Sequence, residues 1–250
     1  MPLRTRGLFV PDDPAAAPYP LSRTKLELFL DCPCCFYLDR RRGLARPEHL
    51  GLTLNAAVDV LMKAEFDRYR EAGRPHPLMQ SHGINAVPLQ HPELAAWRNA
   101  RTQGVRALHA DSQFIVFGGV DDIWVQPNGT LIVVDYKATA RRAEVSLEGG
   151  WGYSYRRQVE VYAWLLQQCG HRVAPTAYFV YANGRADRPR FDDCLTFRTR
   201  LLAHPLELDW IEPALRRARA CLLAARPPRP RPGCIFCSYA AARSAVADSQ

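Results

Sequence analysis

Long apolar runs are missing from this sequence of 250 residues. No stretch approaches the roughly 18–20 apolar residues of a membrane-spanning helix, so we expect no membrane partner. The first twenty residues lack the apolar centre of a secretory signal peptide, which predicts a cytoplasmic location. No G-x-x-x-x-G-K-[ST] motif is present either, so any helicase motor is expected to be a separate partner chain.

Lysine is scarce. Of the 33 lysine and arginine residues, three are lysines, namely Lys25, Lys63 and Lys137. Arginine keeps its proton at any working pH, so a lysine retained beside other charged groups indicates a need for different chemistry. Lys137 lies in such a setting, two residues after Asp135. The net charge of +8 and the pI of about 9.2 suit a polyanion such as nucleic acid.

Hydrophobic residues make up 48% of the chain, which is enough for a sizeable core. The length is that of one large domain, which we place at residues 21–240. Prolines cluster near both ends of the sequence. We therefore predict an extended arm over residues 1–20 and a C-terminal tail over residues 241–250.

Residues 113–139 are typical of two strands joined by a tight turn. Aromatic and β-branched residues fill Phe114–Val125 and Leu131–Val134, as strands require. Asn128-Gly129 between them is a strong hairpin signal, because both residues tolerate positive φ. The stretch therefore predicts a β-hairpin.

Charged side chains occupy this hairpin at the end of an apolar run. Side chains alternate along a strand, so Asp135 and Lys137 share a face, and at most one of Asp121 and Asp122 faces Asp135 across the ladder. Adjacent carboxylates are tolerated where a cation lies between them, and Mg²⁺ accepts carboxylate, carbonyl and water oxygens. A neighbouring lysine could orient or activate a water. The alternative is a solvated strand end with scattered charges.

The sequence GGVDDIW, followed about a dozen residues later by VVDYKAT, resembles the PD-(D/E)XK nuclease superfamily in its RecB-like exonuclease branch. The resemblance implies an α/β (α+β) fold, with a restriction-endonuclease-like core of a central mixed sheet flanked by helices. It also implies that Asp121, Asp135 and the backbone carbonyl of Tyr136 hold Mg²⁺ or Mn²⁺. Lys137 would be the catalytic lysine.

Two further positions complete the comparison with that branch. A helix bearing Q-x-x-x-Y usually follows, and Gln158 and Tyr162 match it on one helical face. Relatives often carry G-x-x-x-H on an earlier helix, whereas this chain has Asn55 in place of the metal-binding histidine. Asn55 could offer an oxygen to the metal, directly or through water, but not an imidazole.

The predicted function is therefore metal-dependent hydrolysis of DNA, as an exonuclease in DNA repair, recombination or related processing. RNA is an alternative substrate. Asn55 motivates a second hypothesis, in which a catalytically weak or inactive nuclease-like module binds DNA or recruits a repair partner. Arg141 and Arg142, just after the hairpin, are candidates for contact with the DNA backbone.

Two C-x-x-C pairs, Cys32/Cys35 and Cys234/Cys237, lie near opposite ends of the sequence. In an intracellular chain such pairs favour metal ligation over disulfides. Their spacing suits zinc and an iron–sulfur cluster equally well. Cys34 could replace Cys35 as a ligand.

The resemblance to iron–sulfur RecB-like and CRISPR-adaptation nucleases favours a [4Fe–4S] cluster at these cysteines, with Zn²⁺ as the alternative. Those relatives typically use one N-terminal and three C-terminal cysteines, so the two-plus-two arrangement departs from their pattern. Cys169, Cys194 and Cys221 lie in apolar segments and are expected to be core thiols.

Periodicity predicts the remaining elements. Helices are expected over residues 52–72, 93–109 and 154–169. A central strand is expected over residues 176–181, parallel to the second hairpin strand after a crossover helix. A flanking strand is expected over residues 194–200.

Overall fold

The computed structural model describes residues 3–11, 18–47 and 53–247. They divide into two compact units. Unit 1 contains the described parts of residues 1–50, 108–116 and 209–250, and unit 2 contains those of 51–107 and 117–208. Residues 1–2 and 12–17 of the predicted arm and 248–250 of the predicted tail lie outside the described residues. The single domain over residues 21–240 stays a prediction.

The described chain contains both helices and strands, with mixed parallel and antiparallel pairing in its five-stranded sheet, which confirms the predicted α/β fold class. The α-helices are α1 (Arg23–Asp31), α2 (Pro33–Arg42), α3 (Thr53–Glu71), α4 (Pro77–Ser81), α5 (Leu94–Arg98), α6 (Gly152–Gln168), α7 (Ile211–Leu223) and α8 (Ile235–Ala247). The strands are β1 (Tyr19–Ser22), β2 (Val87–Pro88), β3 (Val105–His109), β4 (Phe114–Gly118), β5 (Asp122–Val125), β6 (Leu131–Thr139), β7 (Thr176–Gly184) and β8 (Phe197–Pro205).

Unit 2 is built on a mixed sheet with the strand order β2-β5-β6-β7-β8. β6 and β7 are parallel, as predicted, and α6 lies between them in the chain. The other neighbouring strands pair antiparallel. A parallel pair needs a crossover connection, which α6 provides.

One face of this sheet is covered by α3. Val58, Met62 and Phe66 recur at helical spacing and are buried against Val134 and Tyr136 of β6. These two strand residues are two apart and share a face. Asp135 and Lys137 therefore belong to the opposite face, where Lys137 contacts Gln158 of α6.

The predicted hairpin is confirmed between β5 and β6, with two differences. Of Asn128 and Gly129 in the turn, only Gly129 has positive φ, and the Asn128 side chain accepts a hydrogen bond from the Thr130 amide. The first predicted strand is also divided. β4 ends at Gly118, and Gly119 approaches Ala100 so closely that a Cβ at Gly119 would lie 2.6 Å from the Ala100 Cβ.

Two other sequence predictions were wrong. The helix expected over residues 93–109 is confined to α5, and its second half forms β3. Cys169 and Cys194 were expected in the core but are exposed, and Cys221 is partly exposed. Apolar neighbours in the sequence did not reveal burial, because Cys169 lies at the end of α6 and Cys221 lies on a partly exposed position of α7.

Unit 1 contains α1, α2, α7 and α8. Ser22 caps α1 by accepting a hydrogen bond from the Lys25 amide. The buried Asp39 carboxylate of α2 pairs with Arg4, Lys25 and Arg40. α8 differs from the other long helices, because none of its side chains is buried.

Among the helices of the described residues, none is both long enough and apolar enough to span a lipid bilayer.

Candidate active site

The candidate site lies in unit 2, where β6 extends past the start of β5. Asp122 of β5 pairs with Val134 of β6, so the following residues of β6 have no partner on β5. α3 approaches this edge, and the Asn55 side-chain nitrogen donates to the Ala138 carbonyl at 2.8 Å. The strand end is thus open to polar side chains from α3.

The two adjacent aspartates have different surroundings. Asp122 is buried and accepts hydrogen bonds from the Tyr136 hydroxyl at 2.6 Å and from Arg98 at 3.1 Å, and it pairs with Arg70. Asp121 precedes β5, and its Oδ2 accepts from the Tyr136 amide at 3.1 Å. Asp121 is therefore the aspartate beside Asp135, whereas Asp122 belongs to a buried ion-pair network.

Asp135 is fully buried, and its carboxylate forms an ion pair with the Lys137 ammonium. Neither Asp135 oxygen has a hydrogen-bond partner of ordinary geometry among the described residues. Burial raises the Asp135 pKa to about 7, and the Asp121 charge adds to the rise against the opposing effect of Lys137. A buried carboxylate with a second carboxylate, Asp121, beside it fits a divalent cation, which Asp135 could help to hold.

Lys137 lies in a short chain of polar contacts. Its ammonium donates to Gln158 Oε1 at 3.4 Å, and the Gln158 side-chain nitrogen donates to the Tyr162 hydroxyl at 3.1 Å. Its Nζ also lies 4.6 Å from the centre of the Tyr155 ring. Burial acts to lower the Lys137 pKa. The charges of Asp135 and Asp121 act in the opposite direction and outweigh burial, so the Lys137 pKa lies above its ordinary value. These contacts fix where the ammonium can point.

Lys63 of α3 is a site residue that the sequence analysis missed. Its ammonium contacts Asp121 Oδ1 at 3.0 Å and Asp59 Oδ2 at 2.8 Å. Burial would raise the Asp121 pKa, but Lys63 and Lys137 outweigh it and hold that pKa below its usual value. Two signals in the sequence could have revealed Lys63. Lysine is scarce, and Asn55, Asp59 and Lys63 are spaced i, i+4, i+8, which places them on one helix face.

The predicted residues therefore gather at one end of β6. Asp121, Asp135 and Lys137, which we name the carboxylate site, contact one another or share a face, and Gln158 and Tyr162 support Lys137. Tyr136 contributes its amide to Asp121, and its carbonyl stays a predicted ligand. Asn55 reaches the same strand end, but its nitrogen is bonded to backbone.

A basic cleft follows the carboxylate site along the sheet. Thr139 pairs with Asn183, and Asn183 pairs with Arg198 across β6, β7 and β8. The Asn183 side chain exchanges two hydrogen bonds with the Arg141 backbone. The cavity beyond, about 300 Å³, is lined by Arg141, Arg142, Asn183, Arg185, Ala186, Asp187 and Arg198. We name this cavity the arginine cleft.

The cysteines that were paired by sequence also meet, in unit 1. The sulfurs of Cys32, Cys35, Cys234 and Cys237 all lie within 4.8 Å of one another, and we name them the cysteine cluster. Cys34 is buried beside them. Four thiols in a closed group are suitable ligands for a metal ion.

Three comparisons with known proteins were made for this chain. A search of curated proteins found no match. One solved structure, described as "Crystal structure of SSO0001", is 16% identical, with 82% of this chain and 86% of that chain covered and a TM-score of 0.30. The family model of the PD-(D/E)XK nuclease superfamily matches residues 20–242, which includes every residue of the carboxylate site. The chain belongs to the PD-(D/E)XK nuclease superfamily.

Proposed function

We propose that this protein is a divalent-metal-dependent deoxyribonuclease whose reaction takes place at the carboxylate site. The observation that carries the proposal is the fully buried Asp135 carboxylate, which lies beside Asp121 and forms an ion pair with the Lys137 ammonium. Membership of a nuclease superfamily implies a nucleic-acid substrate and phosphodiester hydrolysis.

Asp121 and Asp135 would hold Mg²⁺ or Mn²⁺, with the Tyr136 carbonyl as a third oxygen and Asn55 at its periphery. The ion would stabilise charge on the phosphate and lower the pKa of a bound water. Lys137, held by Asp135 and Gln158, would donate a hydrogen bond to the water or to a phosphate oxygen. Lys63 would keep Asp121 in place from the other side.

The arginine cleft supports the choice of a polyanionic substrate. Four arginines line it, and the one carboxylate among its lining residues, Asp187, is paired with Arg185. Successive strand residues are about 3.3 Å apart, so the cleft begins within a few nucleotides' reach of Lys137. A nucleic-acid strand with its scissile phosphate at the carboxylate site would place further phosphates among these arginines.

The finer assignments follow from the RecB-like sequence motifs. They suggest an exonuclease in cytoplasmic DNA repair, recombination or related processing, with any motor on a separate chain. They also suggest an iron–sulfur cluster at the cysteines, although the short separations between the sulfurs favour a single metal ion.

The test is cleavage of end-labelled single- and double-stranded DNA with Mg²⁺, Mn²⁺ or EDTA, by the wild type and Asp135→Asn. We expect metal-dependent cleavage that the variant loses, with a stepwise ladder from one labelled end for an exonuclease. The matched control is Asp192→Asn, since exposed Asp192 pairs with Arg190 alone among the ion pairs of the described residues. Wild-type protein that cleaves equally in EDTA would refute the proposal.

A second function is favoured by the Asn55 contact. The Asn55 nitrogen donates to the Ala138 carbonyl, where relatives often have a histidine ligand. This arrangement suits a nuclease-like module that binds DNA with little or no cleavage. Tight DNA binding that survives Lys137→Ala, without cleavage in any metal condition, would favour this module over the enzyme.

A further inference from the structure

The cysteine cluster is built from two similar corners. Cys32 caps α2 and Cys35 lies in its first turn, while Cys234 precedes α8 and Cys237 lies in its first turn. In both cases the first cysteine's carbonyl accepts the opening helical hydrogen bond, from Phe36 and from Ser238, at 3.0 Å. Each helix therefore turns its N-terminal amides, with their partial positive charge, toward its own cysteine pair.

The separations between the corners give the size of the ligand set. Cys32 and Cys237 sulfurs are 3.8 Å apart, Cys35 and Cys234 are 3.6 Å apart, and Cys35 and Cys237 are 3.5 Å apart. With a Zn–S bond of about 2.3 Å, the corners of a regular tetrahedron are about 3.8 Å apart. In a [4Fe–4S] cluster each thiolate binds a different iron, which places the sulfurs about 6 Å apart.

We propose that the cysteine cluster holds a single tetrahedral Zn²⁺ ion, and that this ion anchors the C-terminal helix α8. All four sulfurs lie within 4.8 Å of one another, which leaves room for one ion at their centre but not for a cube of irons and sulfides. Zinc is preferred over a single ferrous ion because it binds a given set of ligands more tightly.

Arg46 supplies the charge that such a centre needs. Four thiolates around one divalent ion leave a net negative charge, which is costly among buried groups. One Arg46 nitrogen lies 3.7 Å from the Cys234 sulfur, and its guanidinium carbon lies 4.6 Å from the centre of the Phe236 ring. Asp31 accepts from the other nitrogen at 3.1 Å. Arg46 is thus a positioning residue for the metal-binding thiolates.

The role of the ion follows from α8 itself. None of its side chains is buried, so packing does not hold it as it holds α1, α2 and α7. Its first turn carries Phe236 and Cys237, which pack against the buried cysteines of α2. A metal shared by Cys35 and Cys237 would fasten the start of α8 to α2.

The first test is metal and sulfide analysis of the full-length protein, purified anaerobically from cells supplied with zinc and iron. We expect one zinc per chain, no acid-labile sulfide and no absorption band at about 400 nm. Replacement of zinc by Co²⁺ should give the visible bands of a tetrahedral tetrathiolate site. Four irons with sulfide, a single iron, or no metal would each overturn the proposal.

The second test compares Cys237→Ser with Cys34→Ser. Cys34 is a buried thiol beside the cluster but outside the four sulfurs, so its variant should retain zinc, while Cys237→Ser should lose it. If Cys237→Ser does not fold, the wild type treated with a zinc chelator replaces it. Limited proteolysis should then cut near α8 in the zinc-free protein only. Equal cleavage with and without zinc would overturn the anchoring role.

Discussion

The cysteine cluster and the carboxylate site bring distant residues together in opposite ways. The cluster joins helix starts about two hundred residues apart in the sequence, and its four ligands close around one another. The carboxylate site is centred on one hairpin, and Asp121 keeps about a fifth of its side chain exposed. A closed ligand set is typical of a structural metal, and a partly open one is typical of a reactive metal.

The two sites should therefore differ in whether a substitution affects mainly the stability of the fold or mainly the reaction. In the cluster, the sulfurs contact one another across two helix starts, so we expect the loss of one sulfur to appear as a loss of structure. In the carboxylate site, the buried Asp135 carboxylate has Lys137 as its ion-pair partner and lies beside the Asp121 carboxylate, an arrangement that a bound cation would stabilise further. We therefore expect substitutions there to affect cleavage more than folding.

The largest expected effect separates two of the three lysines. Lys137→Met should lower the cleavage rate by about a thousand-fold, since it removes a charged donor from the proposed reaction site. It should also lower thermal stability, because the buried Asp135 loses its ion-pair partner. Lys25→Met should keep its cleavage rate but lose stability, because Lys25 pairs with the buried Asp39. Single-turnover rates and thermal unfolding measure both. Equal activity losses in the two variants would break the comparison.

The neighbouring aspartates sharpen the same contrast within unit 2. Asp122→Ala should lower the free energy of unfolding by about 3 kcal/mol, because Arg70 and Arg98 would be left without their buried partner. Asp121→Ala should destabilise far less but reduce metal-dependent cleavage. Urea unfolding with parallel activity assays tests this. A larger stability loss for Asp121→Ala would contradict the assignment.

A smaller effect is expected at Lys63, which contacts Asp121 without facing the Asp135 carboxylate. Lys63→Ala should reduce the rate by about 10- to 100-fold, as is typical when a residue that orients a metal ligand is lost. The metal concentration for half-maximal activity should change as well. Lys63→Arg should restore part of the loss. Unchanged rate and metal dependence in Lys63→Ala would remove Lys63 from the site.

The smallest effect concerns the arginine cleft. The double variant Arg141→Ala/Arg198→Ala should weaken DNA binding, and the salt dependence of binding should fall by about two ions released. Its rate at saturating DNA should stay close to that of the wild type. Arg190→Ala is the control, since Arg190 pairs with Asp192 outside the cleft. An unchanged salt slope in the double variant would exclude the cleft as a phosphate site.

Local patterns predicted the parts of the site that depend on local geometry. The spacing of Asp135 and Lys137 placed them on one face, and the spacing of Gln158 and Tyr162 placed them on one helix. Alternation alone did not decide between Asp121 and Asp122, because the register depends on a turn whose conformation differed from the expected one. The contact of Lys63 with Asp121 joins two separate elements, so it required the tertiary structure.

The cysteines show a similar limit. Sequence spacing identified both pairs but left zinc and iron–sulfur ligation equally open, because the two differ in the distance between sulfurs rather than in the spacing along the chain. The exposed Cys169 and Cys194 had apolar neighbours too. Apolar sequence context therefore did not distinguish clustered thiols from surface thiols.

Direct binding of Mn²⁺ tests the central claim, which is that Asp121 and Asp135 hold a divalent cation. Electron paramagnetic resonance would count bound Mn²⁺ in the wild type, in Asp135→Asn and in the control Asp192→Asn. We expect the wild type and control to bind Mn²⁺ alike and Asp135→Asn to lose that binding while remaining folded. Wild-type protein that binds no Mn²⁺, or Asp135→Asn that binds it equally well, would contradict the account.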